Sequence, residues 1–489
     1  MRESCLPVVS TTSPASLTST IPKNLCLSAL ATLKLQELQI IQHKMSDKLR
    51  LLGIIIAYMS GLAGTALIRK IQATVHRWSY KGPSDTPKTV IVVGGSFAGV
   101  QLVKRLADML PSGWQAVLVE KNSHFNYSFN MPRFSVVSGY ELSAFLPYDG
   151  IFGKTLPGIV KHVQGDVVEV SSGTKEIRLA SGDVLPYDIL VVSTGSAQRP
   201  PAKLLGAADR ELACDELREL QQRIHCARRI AVVGGGAVGI ELVTDIKTFA
   251  EDSDDKPEKA KDEKAKAESN TKDVTLVHSR QQLLNRFGPR LHKHVLEVLK
   301  KLDVNVVLGQ RPTIVYKDSA PDAQVGGPGA LHYADGRVEE YDCILLCTGQ
   351  TPNSGLFKTH PGVVAASGEI LVAPTLQVTS KDGLVPDVFA FGDVAATAGS
   401  KMARAAFFQA DTVADNVMAI ARDKKPVAVY KPTVIEPSLK LTLGKDDSVI
   451  YMDEEDGRSI LLKQGGESTE TAARRAWFFY GLPYNKDGA

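Results

Sequence analysis

The sequence predicts an α/β chain with two doubly wound units, the second inserted in the first, an N-terminal hydrophobic helix and a small C-terminal α+β segment. Two observations carry that expectation. A short Val/Ile run enters a Gly-rich turn and then a helical stretch twice, at VIVV (90–93) before GGSFAG (94–99) and at IAVV (230–233) before GGGAVG (234–239). Each is followed by a second apolar strand, AVLVE (116–120) or VTLVH (274–278), so one supersecondary unit recurs along the chain.

In chain order, residues 1–50 are rich in Ser, Thr and Leu, and the first 45 carry only Glu3 and Glu37 as acids. Three readings fit: an organellar targeting segment, a disordered tail, or an upstream extension of a chain beginning at Met45. Residues 51–68, LLGIIIAYMSGLAGTALI, hold no charge, and Lys48, Arg50, Arg69 and Lys70 bracket them. As a helix the run spans roughly 27 Å at 1.5 Å per residue, just short of a hydrocarbon core. A membrane-anchor helix over 51–70 is expected, with a buried helix or a signal segment as the alternatives; positive charge at both ends leaves orientation open. Arg2 stands where N-myristoylation needs glycine, which excludes that anchor for this start.

The first unit takes residues 88–205 and 349–425, and the second, 206–348, interrupts it. DVVEVSSGTKEIRLASGDVLPYDILVVSTG (166–195) reads as a β-meander with Ser-Gly turns, and LHYADGRVEEYDCILLCTG (331–349) closes the second unit in the same way. Residues 251–273, a run of Lys, Asp, Glu and Ala, read as a solvated, mobile insertion. Residues 426–489 form the last segment, which ends in the aromatic WFFYGLPY (477–484).

Composition narrows the function classes. The chain is 44% hydrophobic and 23% charged, as globular proteins are. A net charge of +3 and no basic stripe interleaved with aromatics point away from nucleic acid and toward small-molecule partners. The six cysteines, at 5, 26, 214, 226, 343 and 347, make no CxxC pair and no zinc-ligand spacing, so no metal site is expected. Cys343 and Cys347 lie in the apolar YDCILLC and read as core thiols, which suits a reducing compartment.

GGSFAG has the setting of a dinucleotide fingerprint. Gly94 allows the tight turn and Gly99 the close packing of helix on strand; Gly95, Ser96, Phe97 and Ala98 lie where a pyrophosphate meets the free N–H groups of a helix N-terminus. Ser96 stands where such a motif has its second glycine. Glu120 ends the next strand, placed to accept hydrogen bonds from a ribose. GGGAVG is an intact fingerprint, with Gly234, Gly236 and Gly239. Two Rossmann-like dinucleotide-binding domains follow from the pair. The strand after the second ends Val277-His278-Ser279-Arg280, with no acid for a 2′-hydroxyl. Arg280, helped by His278, is positioned for a 2′-phosphate, so NADPH is expected to serve beside NADH; the alternative is a solvent-facing arginine.

Together these elements resemble the two-dinucleotide-binding-domain flavoproteins of the pyridine nucleotide-disulfide oxidoreductase superfamily over roughly residues 88–420. Those proteins carry a FAD fingerprint first, an NAD(P) fingerprint midway and a late strand ending in Gly-Asp, here VFAFGD (388–393). The resemblance implies that Gly392 and Asp393 contact the FAD ribityl or phosphate region. STG (193–195) and CTGQTPN (347–353) match the two turns that return the chain between domains, which implicates Thr194, Gly195 and Gly349; Lys121 and Val167 are carried over as further cofactor contacts.

A closer similarity is to the apoptosis-inducing-factor-like, or ferroptosis-suppressor-like, oxidoreductases. It rests on GGGAVGIELVTDIKT with VTLVHSR, on SHFNYS and PRFSVVSG (123–139), and on SKMARAAFFQAD (400–411). The resemblance implies roles for Glu241, one turn into the second fingerprint helix beside the space between nicotinamide and flavin, and for Lys401, which would set positive charge by the flavin. The plainer readings are a first-turn acid satisfying the helix dipole and an exposed loop lysine. Arg133 would neutralise the FAD pyrophosphate.

Disulfide reductases of this fold carry a cysteine pair beside the flavin, and none occurs near 125–140. The expected activity is therefore that of a FAD-dependent NAD(P)H oxidoreductase whose reduced flavin passes electrons directly to a quinone or other acceptor. Trp477, Phe478, Phe479 and Tyr480 are candidates for a membrane interface that gates quinone entry, for a homodimer contact, or for core packing. A membrane site is expected, mitochondrial first, with the cytoplasmic face of another organelle or a lipid droplet as alternatives. The rival functions are a type II NADH:quinone dehydrogenase and a redox-sensing, death-signalling flavoprotein with little turnover.

Overall fold

The computed structural model describes residues 23–204, 208–249, 272–317, 325–454 and 456–484. Residues 1–57 and 58–489 are two separate units. The described part of the first is helical from Lys23, and that helix ends at Ser79, so it starts well before the expected 51–70. Residues 1–22 of the expected targeting segment, and 251–271 of the charged insertion, lie outside the described residues.

In the second unit, the apolar run Lys88–Val93 forms a strand whose two faces are both buried. Alternation decides which side chain goes where. Val90 and Val92 face a helical layer built from Phe97–Ala107 and Ala403–Ala421, while Ile91 and Val93 face the meander of Val167–Ser171, Glu176–Leu179 and Val184–Pro186. A strand covered on both sides cannot alternate apolar with polar, hence the unbroken VIVV. Six strands make this sheet, in the order Gln377–Ser380, Gly383–Ala390, Ile189–Val192, Lys88–Val93, Trp114–Glu120, Val160–Gln164. All neighbours run parallel except the first two. Chain direction across the sheet reverses on either side of Lys88–Val93, which places a ligand crevice at its carboxyl end, at the Gly94 turn.

The second sheet repeats the plan with four parallel strands, Asn305–Leu308, Asp273–His278, Arg229–Val233 and Cys343–Leu346. Ile230 and Val232 face helices Ala237–Phe249 and Pro289–Lys301, and Ala231 faces the meander through Leu331 and Tyr341. This domain is inserted in the first, because strands before and after it complete the six-stranded sheet. The two linkers are sewn together: Ser196–Ala197 pairs antiparallel with Thr351–Pro352, and Asn353 N–H donates to the Gly195 carbonyl at 2.9 Å.

The C-terminal segment joins both domains. Its antiparallel sheet of Leu439–Leu443, Asp447–Asp453 and Ser459–Gly465 buries Leu439, Leu441 and Leu443 in the core of the inserted domain. Its helix, Thr469–Tyr480, is capped by Ser468 and stopped by Gly481 at φ +78°, and it packs Ala476, Trp477 and Tyr480 into the core of the first domain.

Candidate active site

At the first fingerprint, Gly94 turns the chain with φ +100°, and a Cβ there would lie 2.5 Å from the Ser193 carbonyl oxygen. A Cβ on Gly99 would sit 1.9 Å from the Gly94 carbonyl oxygen, so helix and turn close up only with glycine. Glu120 folds back onto this turn: Oε2 accepts from Gly95 N–H at 2.6 Å and Oε1 from Asn122 N–H at 3.1 Å. Burial pushes its carboxyl above the usual range, against the pull of those two donors. Ser96 caps the helix backbone without any side-chain capping bond, is exposed, and leaves the first-turn N–H groups facing outward for an anion. A Cβ on Gly392 would touch Ala98 at 3.4 Å, so the late Gly-Asp turn stands directly against the fingerprint helix and brings Asp393 to the same crevice. Thr194 lies in the linker seam, its hydroxyl donating to the Asn353 carbonyl at 2.8 Å, and Gly195 and Gly349 both have positive φ. Val167 begins the meander three residues past Gln164, the strand partner of Glu120, while Lys121 is exposed beside it.

The second fingerprint has the same steric signature. A Cβ on Gly234 would lie 2.3 Å from the Cys347 carbonyl oxygen, and one on Gly239 2.0 Å from that of Gly234, whereas one on Gly236 meets nothing. That open position is where a pyrophosphate approaches backbone. Gly235 N–H donates to His278 Nδ1 at 3.1 Å, so a histidine occupies the place that Glu120 holds in the first domain. With Nδ1 accepting, the network assigns the ring proton to Nε2, which is 3.1 Å from the Gln282 carbonyl. Burial lowers its pKa below the ordinary value, with the Gln282 carbonyl opposing and Arg280 adding. Both ring nitrogens of His278 are thus engaged in bracing the turn. Arg280 is exposed, and its side chain has no hydrogen bond or ion pair among the described residues.

Arg133 is held by partners within the protein. Its guanidinium donates to Asp245 Oδ1 at 3.0 and 3.3 Å, to the Gly444 carbonyl at 2.9 Å and to the Glu467 carbonyl at 2.6 Å, and it stacks over the Phe249 ring. Its donors are spent on a clasp that joins the first domain, the second fingerprint helix and the C-terminal segment, not on the first fingerprint. One turn before Asp245, Glu241 Oε1 accepts from Thr442 N–H and hydroxyl, both at 3.1 Å. Burial, with Asp245 adding, pushes Glu241 up to about 7 against the two Thr442 donors; burial likewise raises Asp245 to about 6 despite Arg133.

A raised carboxyl makes the native state hold a proton that the unfolded chain has released. Its contribution is full below the unfolded pKa and is lost as pH rises through the folded one, here between about 4.5 and 7. Glu241→Gln keeps an acceptor for Thr442 without the charge. It is expected to equal the parent in stability at pH 4.5 and to exceed it by on the order of 1–3 kcal/mol at pH 8. Thermal unfolding of the full chain across that range checks this; parallel pH profiles for the two proteins would contradict it.

Lys401 is neither free nor fully exposed. It pairs with Glu369 at 2.7 Å and donates to the Ala395 carbonyl, just ahead of the helix Ala403–Ala421. Burial tends to raise Glu369, but hydrogen bonds from Lys401 and Ser367 win and hold it below the usual range. The cationic spot expected at Lys401 is thus an ion pair.

Sequence reasoning missed three contributors. Lys203 is largely buried, donates to the Ser196 carbonyl at 2.6 Å, and feels both Asp393 and Glu120; burial lowers its pKa. Tyr148 donates to the Gly95 carbonyl at 2.7 Å. Asn353 ties the linkers, donating to the Thr194 carbonyl at 3.0 Å. Only the position of Lys203 and Asn353 a few residues after the two Thr-Gly turns gave any signal. The WFFY stretch divides by helical period: Trp477 and Tyr480 are buried, while Phe478 and Phe479 are 84% and 54% exposed.

The sequence profile of the pyridine nucleotide-disulphide oxidoreductase family matches residues 88–410. Fe-regulated protein 8 of Mycosarcoma maydis is 31% identical over 389 residues, 75% of this chain and 89% of that protein. Ferroptosis suppressor protein 1 of Xenopus tropicalis is 29% identical over 362 residues, 74% of this chain and 87% of that protein. The water-forming NADH oxidase from Lactobacillus brevis bound to NADH shares the fold, with TM-score 0.53 at 20% identity over 75% of each chain.

Proposed function

The chain belongs to the pyridine nucleotide-disulphide oxidoreductase family and uses FAD and NAD(P)H; within that frame we propose that it passes electrons from FAD directly to a quinone, with no redox disulfide between them. Cysteine placement carries this reading. Cys214 packs behind Phe134, Cys226 is at the surface, Cys343 is buried in the edge strand Cys343–Leu346 and Cys347 lies under the Gly234 turn; all four are free. Burial pushes the Cys343 and Cys347 thiols up to about 12, far from the thiolate that disulfide exchange needs.

Bound FAD supplies the chemistry, taking a hydride from NAD(P)H and giving two electrons, with protons, to a quinone that becomes the hydroquinone. The protein's part is orientation and charge. The turns at Gly94–Gly99 and Gly234–Gly239 would hold the pyrophosphates on helix N-termini, and Glu120, already fixed by Gly95 and Asn122, would receive the FAD ribose. Asp393 and Lys203, which feel each other's charge, would hold the middle of FAD. Lys401 and Glu241 act as positioning residues at the flavin and nicotinamide ends. Membrane association is supported by the apolar helix over Asp47–Ser79, long enough to reach across a bilayer.

Arg280, unpaired at an acid-free strand end, favours the use of NADPH beside NADH. Arg280→Ala is expected to raise KM for NADPH about tenfold, the scale of one exposed charge-assisted contact, and to leave KM for NADH unchanged; equal shifts for both would contradict this. The function itself is tested by colour and bleaching. Protein purified with FAD should be yellow and lose that colour anaerobically with NADH or NADPH, whereas a preparation that takes up no FAD would sink the reading.

A further inference from the structure

We infer that the N-terminal apolar helix meets the bilayer side-on, lying in one leaflet against the FAD-binding domain instead of crossing the membrane. From Tyr58 onward one stripe of the helix is held on the protein. The Tyr58 ring meets Phe408 edge-on at 6.1 Å. Arg69 pairs with Asp411 at 3.0 Å, and the same carboxylate takes Arg105 at 3.1 Å. His76 Nε2 lies 2.6 Å from the Leu110 carbonyl, and the Tyr80 hydroxyl donates to the Trp114 carbonyl at 2.9 Å. Positions 58, 69 and 76 are separated by nearly whole turns, so they form one face, and Tyr80 makes its contact just past the helix end at Ser79.

The other face carries Met59, Leu67, Ile68, Ile71, Val75 and Trp78, each at least 55% exposed. A perpendicular span needs about 20 apolar residues for a core of about 30 Å. The charge-free run is 51–68, and its part from Tyr58 on belongs to the segment seated on the domain. Residues 51–57 alone reach only roughly 10 Å. Crossing would therefore mean stripping the helix from Phe408 and Asp411. Lys70 and Arg77 flank the exposed apolar positions from Ile71 to Val75, and their charge complements anionic lipid headgroups. The exposed Phe479 stacks on Phe407, the helical neighbour of Phe408, and extends the apolar surface beside the seat. The occupant is thus a lipid leaflet with anionic headgroups.

The inference rests on the membrane-associated reading, and its test separates the two. Full-length protein is added to preformed sealed vesicles of three parts phosphatidylcholine to one of phosphatidylserine. Ile71→Glu with Val75→Glu should weaken vesicle binding at least about tenfold, since two apolar side chains leave the lipid. Reduction of a water-soluble acceptor by NAD(P)H should stay unchanged, which shows that the variant folds. A perpendicular anchor over 51–68 ignores both positions, so unchanged binding overturns the in-plane helix. Variants Lys48→Cys and Arg77→Cys, at charged and not lipid-facing positions, should both react with a membrane-impermeant maleimide; protection of either until detergent is added also overturns it. If the parent protein binds no vesicles, the membrane reading falls as well.

Discussion

Gly239→Val is expected to leave the protein yellow and to abolish its rapid bleaching by NAD(P)H. The reason is geometric. A Cβ at 239 would stand 2.0 Å from the Gly234 carbonyl oxygen and 3.3 Å from Cys347 Cβ, and the first of these is backbone that cannot swing aside. The helix must retreat from the strand, and the N–H groups that would hold a pyrophosphate move with it. Losing two charge-assisted hydrogen bonds at about 1.5–3 kcal/mol each weakens dinucleotide binding by roughly a hundredfold or more. Gly99→Val makes the same clash, 1.9 Å from the Gly94 oxygen, at the other turn, and should give colourless protein. Titrating flavin reduction against NADH and NADPH, with FAD content measured separately, reads both. Wild-type bleaching in Gly239→Val would contradict the assignment of the second turn.

Arg133→Met should be the most destabilising single change away from the turns. The guanidinium is 6% exposed and the Asp245 carboxylate 1%, and three chain segments converge on them. Removing one member of a buried pair costs about 3–5 kcal/mol, because the other charge stays behind without a partner. Asp245, already raised to about 6, escapes part of that by taking up a proton, so the loss should be nearer 3 kcal/mol at pH 7 and shrink toward pH 5. Adding Asp245→Leu to Arg133→Met should recover most of the stability. Thermal unfolding of holo protein checks the series, and a loss under about 1 kcal/mol for the single change would refute the clasp.

These two cases mark what could be read from the chain and what could not. The turns were legible because glycine there is a local steric requirement, with partners within a few residues or on the adjoining strand. Alternation and apolar runs placed the strands, and the Gly-rich turn placed the helix behind it, which begins at Phe97. Arg133 was not legible, since its partner Asp245 lies 112 residues away and only the assembled fold brings them together. Glu241 and Thr442, 201 residues apart, are alike in this. The apolar helix shows a related limit: hydropathy reports what leaves water, and Arg69 reaching Asp411 is invisible to it. The two contacts of the His278 ring, to Gly235 N–H and the Gln282 carbonyl, were not legible either, because the sequence shows the residue and not its partners.

The central claim, that electrons leave the flavin for a quinone without a dithiol relay, meets its most direct test in one stopped-flow experiment. Protein reduced anaerobically with one equivalent of NADPH, held on anionic vesicles, is mixed with a ubiquinone analogue or with oxygenated buffer. The account predicts that flavin absorbance returns within a turnover time with the quinone and at least about tenfold more slowly with oxygen, an interval of about 1.4 kcal/mol in barrier. Reoxidation by oxygen alone, with the quinone inert, would contradict it.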